Sequence, residues 1–333
     1  MTEEPPQAEE PEAEEPVAEE PRQAEEPRET VGDLLRDGIE RLRRSNSETA
    51  RLDAELLLAD AVGLGRTALL AHPELPVSAG AAVRYRAGIE RRSTGEPVAY
   101  IRGSKEFFGL VFAVDRRVLI PRPETERLVE LAEAEGRRRR AAMRPGSDRR
   151  LRIVDVGTGS GAVIVAVAAS LRRLGALDDI ELTGLDISDD ALDLARENAV
   201  GHALAEVIAF EPADLLDRGA APGGEGPHDR PSFDLVLANL PYVRHDALPG
   251  LPIAASFEPP LALDGGEDGL IVIERLLAQL PAALTTDGLA LLEIGADQGV
   301  AIVELVAQVL PGWRCAVELD LAGLPRVAAI SRS

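Results

Sequence analysis

An apolar run, Leu235-Val236-Leu237-Ala238, opens directly into Asn239-Leu240-Pro241-Tyr242. The second string carries the groups needed to hold a planar NH2. The side-chain carbonyl of Asn239 and the backbone carbonyl of Leu240 can each accept one N–H, and the Tyr242 ring offers a face for stacking. A nitrogen fixed in this way aims its lone pair in one direction, as an amino group attacking an electrophile requires. Taken alone, the string also fits a plain strand-ending turn. A branched apolar run before a proline turn, however, reads as a buried parallel strand, and open α/β sheets bind ligands at the C-terminal ends of such strands.

A second chemical stretch is Ile153-Val154-Asp155-Val156-Gly157-Thr158-Gly159-Ser160-Gly161. Glycines between a strand and a helix allow a tight turn and close approach of backbone to a ligand. Asp186, 25 residues beyond Gly161 and at the end of the next apolar run, can accept hydrogen bonds from two ribose hydroxyls. Two cofactors suit this spacing. Gly157, Gly159 and Ala162 satisfy the nicotinamide dinucleotide fingerprint. S-adenosylmethionine is the better fit, because Asp155 would favour its cationic end and oppose a pyrophosphate.

These strings need elements to position them. Residues 31–96 show helical spacing: Val31, Leu34, Leu35, Ile39 and Leu42, then Leu52 to Ala61 ending near Gly63, then Arg66–Ala71, then a helix from Ser78 to about Ser93. Residues 97–122 read as a hairpin linker, with Gly109 between apolar runs. Pro121 to Glu126 opens a further helix. Arg137–Arg140 lie in a stretch with seven arginines between 136 and 150, read as a solvated loop with a frayed helix end. From residue 151, strands and helices alternate, with a surface loop at 217–232. This implies a mostly parallel sheet covered on both faces, within a unit spanning 123–333.

Composition narrows the classes. The net charge is -22, and residues 1–30, with twelve Glu and two Arg, account for -10 of it, leaving -12 for the rest. Residues 1–30 repeat Ala-Glu-Glu-Pro from Ala8, Ala13, Ala18 and Ala24 and read as a disordered acidic tail. An acidic body argues against broad nucleic-acid binding, so no stable nucleic-acid partner is expected. The four histidines lack ligand spacing, so no metal is expected. No apolar stretch is long enough to span a membrane, and no targeting signal is recognisable. One cysteine, Cys315, excludes an intramolecular disulfide framework. A cytoplasmic location is expected.

Further strings agree in order: Gly95-Glu96-Pro97-Val98-Ala99-Tyr100-Ile101, Val118 to Glu126, Glu258-Pro259, Leu263 to Gly266, Asp268-Gly269-Leu270, Leu292-Glu293-Ile294-Gly295 with Gln298, and Asp320 to Gly323 with Arg326. As an ordered set they resemble the PrmC (HemK) family of bacterial release-factor glutamine methyltransferases, over about residues 31–333. The resemblance implies a class I S-adenosylmethionine-dependent methyltransferase domain of Rossmann-like α/β fold, preceded by a small all-α domain and a β-hairpin linker. It implies methyl transfer to the N5 amide nitrogen of the glutamine in the Gly-Gly-Gln motif of peptide chain release factors, with the helical domain helping to dock that substrate. By position, Gly157, Thr158, Gly159, Ser160 and Gly161 would hold the methionine end of the cofactor, and Asp186 the ribose. Asp214 and Leu215 would lie at the adenine, and Asn239 beside the cofactor. Asn239, Leu240, Pro241 and Tyr242 would hold the target amide, with Asn239, Pro241 and Tyr242 as the catalytic set.

Two positions depart from the family pattern. Leu240 replaces the first proline of the usual Asn-Pro-Pro-Tyr loop, and Leu215 stands where an aromatic is common. Asn-Leu-Pro-Tyr also resembles rRNA adenine dimethyltransferases, so an adenine methyltransferase acting on RNA or DNA is an alternative. A non-catalytic S-adenosylmethionine-binding module associated with translation is another.

Overall fold

The computed structural model describes residue 2 and residues 29–143, 149–175, 177–219 and 232–333. The Ala-Glu-Glu-Pro copies, Arg144 and most of the loop expected at 217–232 lie outside these residues. Among the described residues, five helices precede the first strand: α1 (Val31–Arg44), α2 (Ala50–Val62), α3 (Arg66–Ala71), α4 (Ala79–Ser93) and α5 (Val98–Arg102). α1 opens on a reciprocal cap, in which the Thr30 side chain accepts from the Asp33 N–H and the Asp33 carboxylate accepts from the Thr30 N–H. Leu34, Leu42, Leu58, Leu69, Tyr85 and Ile89 form one small core. The buried Tyr85 hydroxyl donates to the Leu34 carbonyl at 3.2 Å, so the ring crosses the core without an orphaned polar atom.

α5 occupies the start of the stretch read as a hairpin linker. It runs between Pro97 and a left-handed Gly103, and its Val98 and Ile101 pack against the helical core. Its β-branched residues gave no helical signal; packing against α2 and α4 overrides that weak preference. The hairpin follows, as β1 (Ser104–Phe107) and β2 (Leu110–Ala113), paired Phe107 to Leu110 around Phe108-Gly109. Both loop residues have positive φ, 50° and 71°, as a two-residue hairpin turn with the right-handed strand twist requires.

A single 3-10 turn, Pro123–Thr125, leads into α6 (Glu126–Ala142). This helix continues through Arg137–Arg140, where a surface loop was expected. Glu133 and Glu135 account for the extension: Glu133 pairs with Arg137 at 3.6 Å, and Glu135 with Arg138 at 2.6 Å and Arg139 at 2.5 Å, all one helical turn apart. Arg140 meets Asp179 at 3.4 Å.

The remaining elements alternate: β3 (Leu151–Val156), α7 (Ala162–Arg173), β4 (Ile180–Asp186), α8 (Asp189–Gly201), β5 (Ile208–Pro212), β6 (Phe233–Ala238), α9 (Ile271–Ala283), β7 (Leu284–Glu293), α10 (Gly299–Val309), β8 (Trp313–Leu319) and β9 (Pro325–Arg332). They build a seven-stranded sheet in the order β5-β4-β3-β6-β7-β9-β8. β9 pairs antiparallel with both of its neighbours, and the other pairings are parallel. The period-2 alternation of strand side chains sorts the core into two halves. Ile153, Leu235, Leu237 and Leu291 face α6 and α7, whereas Val154, Val156, Val236, Ala238 and Leu292 share the other cluster with α9 and α10 residues. The first ten residues of α7 are all buried, which explains why Ala162–Leu171 is apolar on every side apart from the small Ser170.

Strand order reverses between β3 and β6. Connections from β3 run outward to β4 and β5, and those from β6 run the other way. Loops leaving such a point diverge and leave a crevice at the strands' C-terminal ends. Asn198 of α8 fastens the hairpin to this region. Its amide nitrogen donates to the carbonyls of Ala113 (3.0 Å) and Ser160 (2.9 Å), and its oxygen accepts the Ala113 N–H (2.7 Å). Asn198→Ala leaves the buried Ser160 carbonyl and the half-buried N–H and carbonyl of Ala113 without this partner, so a loss of ~1–3 kcal/mol is expected. Urea unfolding measures it, and a midpoint equal to wild type would refute the staple.

Candidate active site

The crevice at the strand-order reversal is a cavity of about 260 Å³. One wall is the turn after β3. Gly157, Gly159 and Gly161 all have positive φ (69°, 54° and 76°), which side-chain-bearing residues adopt only under strain. A Cβ on Gly161 would stand 3.1 Å from that of Ala195, so α8 packs tightly on the turn. A Cβ on Gly159 would meet nothing within 4 Å, so this glycine opens its backbone to the cavity.

Two carboxylates brace the turn. Asp155 is buried, and its Oδ2 accepts the Thr158 hydroxyl at 2.7 Å. Burial pushes its carboxyl up to about 7, against the pull of the Thr158 and Ile164 hydrogen bonds and with some help from the Asp186 charge. Asp155 was expected to favour a cationic ligand; it lines the cavity, with Oδ2 engaged by Thr158 and its charge weakened by burial. Asp186 accepts the Gly159 N–H through Oδ2 and the Ser188 N–H through Oδ1, both at 2.9 Å. Burial raises its carboxyl despite these bonds. Each oxygen keeps lone-pair capacity towards the cavity that Asp186 lines.

Next along the rim, Asp214 and Leu215 also line the cavity. Leu215 is buried and held at φ 59°, while Asp214 pairs with Arg275 of α9 at 2.6 Å. Leu215 thus supplies an apolar wall, and the Asp214 carboxylate is directed to Arg275.

The opposite wall is the loop after β6. Register Val156 to Ala238 places Gly157 and Asn239 side by side. Asn239, Leu240 and Pro241 line the cavity. The Asn239 amide nitrogen donates to Thr125 Oγ1 at 3.0 Å, which turns Oδ1 into the free end of the side chain. The Leu240 side chain is buried against the turn, with Cδ2 3.0 Å from where a Gly157 Cβ would stand. Tyr242 follows Pro241 at the edge of this wall. Its hydroxyl donates to Glu293 Oε1 at 3.4 Å. Burial, then the Glu293 charge, pushes the phenol up to about 12.

Three contributors carried no assigned role in the sequence reading, although all sit in the ordered strings: Thr125, Glu293 and Gln298. Gln298 donates to the carbonyls of Tyr242 and Gly269, both at 3.2 Å, and accepts the Gly295 N–H at 2.8 Å. Gly265 must lack a side chain because a Cβ would lie 2.8 Å from the Pro241 carbonyl oxygen. Arg122 pairs with buried Glu258 at 2.6 Å, joining the segment before α6 to the loop that brings Pro259, Leu261 and Ala262 to the cavity. Hydrogen-bond networks of this kind leave no periodicity to read; they are set where three separated segments meet.

The fold and glycine turn define a class I S-adenosylmethionine-dependent methyltransferase domain, with a helical domain and hairpin before it. Residues 147–309 match the model of a methyltransferase domain, and residues 33–103 match that of the PrmC N-terminal domain. The release factor glutamine methyltransferase of Bradyrhizobium diazoefficiens is 36% identical, over 87% of this chain and 90% of that protein. Its counterpart from Moorella thermoacetica is 38% identical, over 84% and 90%, and that from Vibrio cholerae 34%, over 90% and 95%. The chain belongs to the release factor glutamine methyltransferase family and is an enzyme of the methyltransferase class. Among the described residues, no helix is long and apolar enough to cross a membrane, and no group of His, Cys, Asp or Glu could hold a metal ion.

Asp155 has a folded-state carboxyl near 7 against an ordinary value of 3.8. The folded protein keeps a proton that the unfolded chain has released, so this residue's contribution is most favourable at low pH and is lost as pH rises through about 7. Asp155→Asn removes the titration. Its stability relative to wild type is expected to improve as pH rises through that window. Urea unfolding across the range tests this, and a pH-independent difference would contradict it.

Proposed function

We propose that the protein transfers a methyl group from S-adenosylmethionine to the side-chain amide nitrogen of the Gly-Gly-Gln glutamine of peptide chain release factors. The observation that carries this reading is the Asn239–Thr125 hydrogen bond. It leaves Asn239 Oδ1 as an acceptor on the cavity wall beside the glycine turn. A primary amide needs two acceptors for its two N–H groups, and the Leu240 carbonyl supplies the second.

The residues present fit the cofactor. The open backbone at Gly159 suits its methionine end, Asp186 its ribose hydroxyls, and Leu215 with Ala213 the flat adenine. S-adenosylmethionine supplies an electrophilic methyl group on a sulfonium centre. Asn239 Oδ1 and the Leu240 carbonyl hold the glutamine amide so that its nitrogen faces the cofactor side of the cavity. An amide nitrogen is a poor nucleophile because its lone pair is delocalised. Fixed orientation and two oxygens facing the positive charge that develops on it supply most of the effect. No general base is required, since the nitrogen loses its proton readily once it carries that charge. The name carried by the relatives supports a protein substrate and, through the part release factors play in translation, work in the cytoplasm. The adenine alternative rests on Asn-Leu-Pro-Tyr, and the arginine run that a phosphate backbone would need, Arg137–Arg140, is paired with carboxylates.

Asn239→Ala is expected to lower kcat by about two to three orders of magnitude, with little change in cofactor affinity. Near-normal turnover would sink the assignment. Asp186→Ala is expected to weaken cofactor binding roughly tenfold to a hundredfold in calorimetry, and unchanged affinity would contradict its role. The substrate is tested with labelled S-adenosylmethionine and three acceptors: a release factor, its Gly-Gly-Gln variant with Gln changed to Ala, and ribosomal RNA. Label on the intact factor alone supports the proposal; label on RNA alone transfers the reaction to adenine.

A further inference from the structure

The side chain of Asn239 can present either its oxygen or its NH2 to the cavity, and only the first can accept an amide N–H. Something must select between them. Thr125, buried at the entry to α6, meets the Asn239 nitrogen through Oγ1, but a hydroxyl can donate as well as accept. Were Thr125 to donate to Asn239, the amide would turn over and the site would present a donor. The outcome depends on where the Thr125 proton goes.

Glu293 ends β7, one residue beyond the register pair Ala238–Leu292, and so stands next to Asn239. It is buried. The Tyr242 hydroxyl donates to its Oε1 at 3.4 Å, and Thr125, hydrogen-bonded to the neighbouring Asn239, is near enough to favour its charged form. Its Oε2 has no hydrogen-bond partner among the described residues. Nothing in the transfer reaction derived above uses this carboxylate. We propose that Glu293 is a positioning residue: it captures the Thr125 proton, so Thr125 Oγ1 has only lone pairs for the Asn239 NH2, and Asn239 Oδ1 faces the substrate. Tyr242 holds the same carboxylate from the far end of the Asn239–Tyr242 loop. This inference rests on the reading that Asn239 receives the target amide.

Protonation weakens the device. Burial pushes the Glu293 carboxyl up to about 7; Thr125, Arg326 on β9 and Tyr242 pull it down, and Glu124 before α6 pushes it up. Arg326 itself is shared with Asp320 at 3.2 Å, which limits its pull. A neutral carboxyl accepts the Thr125 proton less strongly than a carboxylate, and the wrong Asn239 orientation gains population. Wild-type kcat is expected to fall about fivefold as pH drops through about 7.

The test is methyl transfer to release factor by the full chain, with kcat and both KM values measured across pH. Glu293→Gln is expected to lose the acid limb, Thr125→Val to lower kcat about tenfold or more with the cofactor KM unchanged, and Thr125→Ser to restore it. Should Glu293→Gln fail to fold, the Thr125 pair decides. Asn239→Ala is run alongside. If it is disabled while Thr125→Val and Glu293→Gln match wild type, the positioning proposal alone is overturned. If Asn239→Ala also turns over normally, the reading of the site itself fails.

Discussion

The adjacency of β3 and β6 governs this molecule. Their parallel register, Val156 to Ala238, brings two loops out of the sheet at the same level: the glycine turn and the Asn239–Tyr242 loop. Because strand order reverses there, the connecting helices diverge and a crevice opens without any strand being broken. The same closeness limits residue choice. Leu240 fills the space above Gly157, so the turn must be glycine there, and the side chain that replaces the family's proline doubles as part of the cavity wall.

Burying carboxylates around a crevice is unfavourable, and the structure shows how each is used. Asp155 and Asp186 hold the turn through hydrogen bonds from Thr158, Gly159 and Ser188, while burial raises both carboxyls. Glu258 pairs with Arg122, and Glu293 accepts the Tyr242 hydroxyl while burial raises its carboxyl. Packed groups with few alternative partners keep their geometry, which a site that works by orientation requires.

The helical domain is tied to this centre through the segment between them. Tyr100 donates its buried hydroxyl to the Val118 carbonyl at 2.5 Å, and the Glu126 carboxylate accepts the Phe108 N–H at 2.9 Å. Val118, Pro121 and Thr125 from the same segment line the cavity. The connection between domains is therefore also one side of the candidate site, and its prolines stiffen a stretch that must place Thr125 accurately.

The sequence by itself determined the elements and the neighbourhood of the site. Helical spacing marked α1 to α4, alternating apolar strands and helices marked the sheet, and the glycines of the 157–161 turn were legible because a positive φ singles out that residue type; Asp186 and Asn239 were picked out by what their side chains can accept, and both line the cavity. Three features came only from tertiary structure. α5 was hidden because its five residues are too few for periodicity. The course of α6 through Arg137–Arg140 was set by ion pairs one turn back, against the reading of a charge run as a loop. The hydrogen bonds from Asn239 to Thr125 and from Tyr242 to Glu293 were hidden as well, because hydrogen-bond direction depends on which distant segments meet. Residue type states what a group can donate or accept, and only the packed fold states to whom.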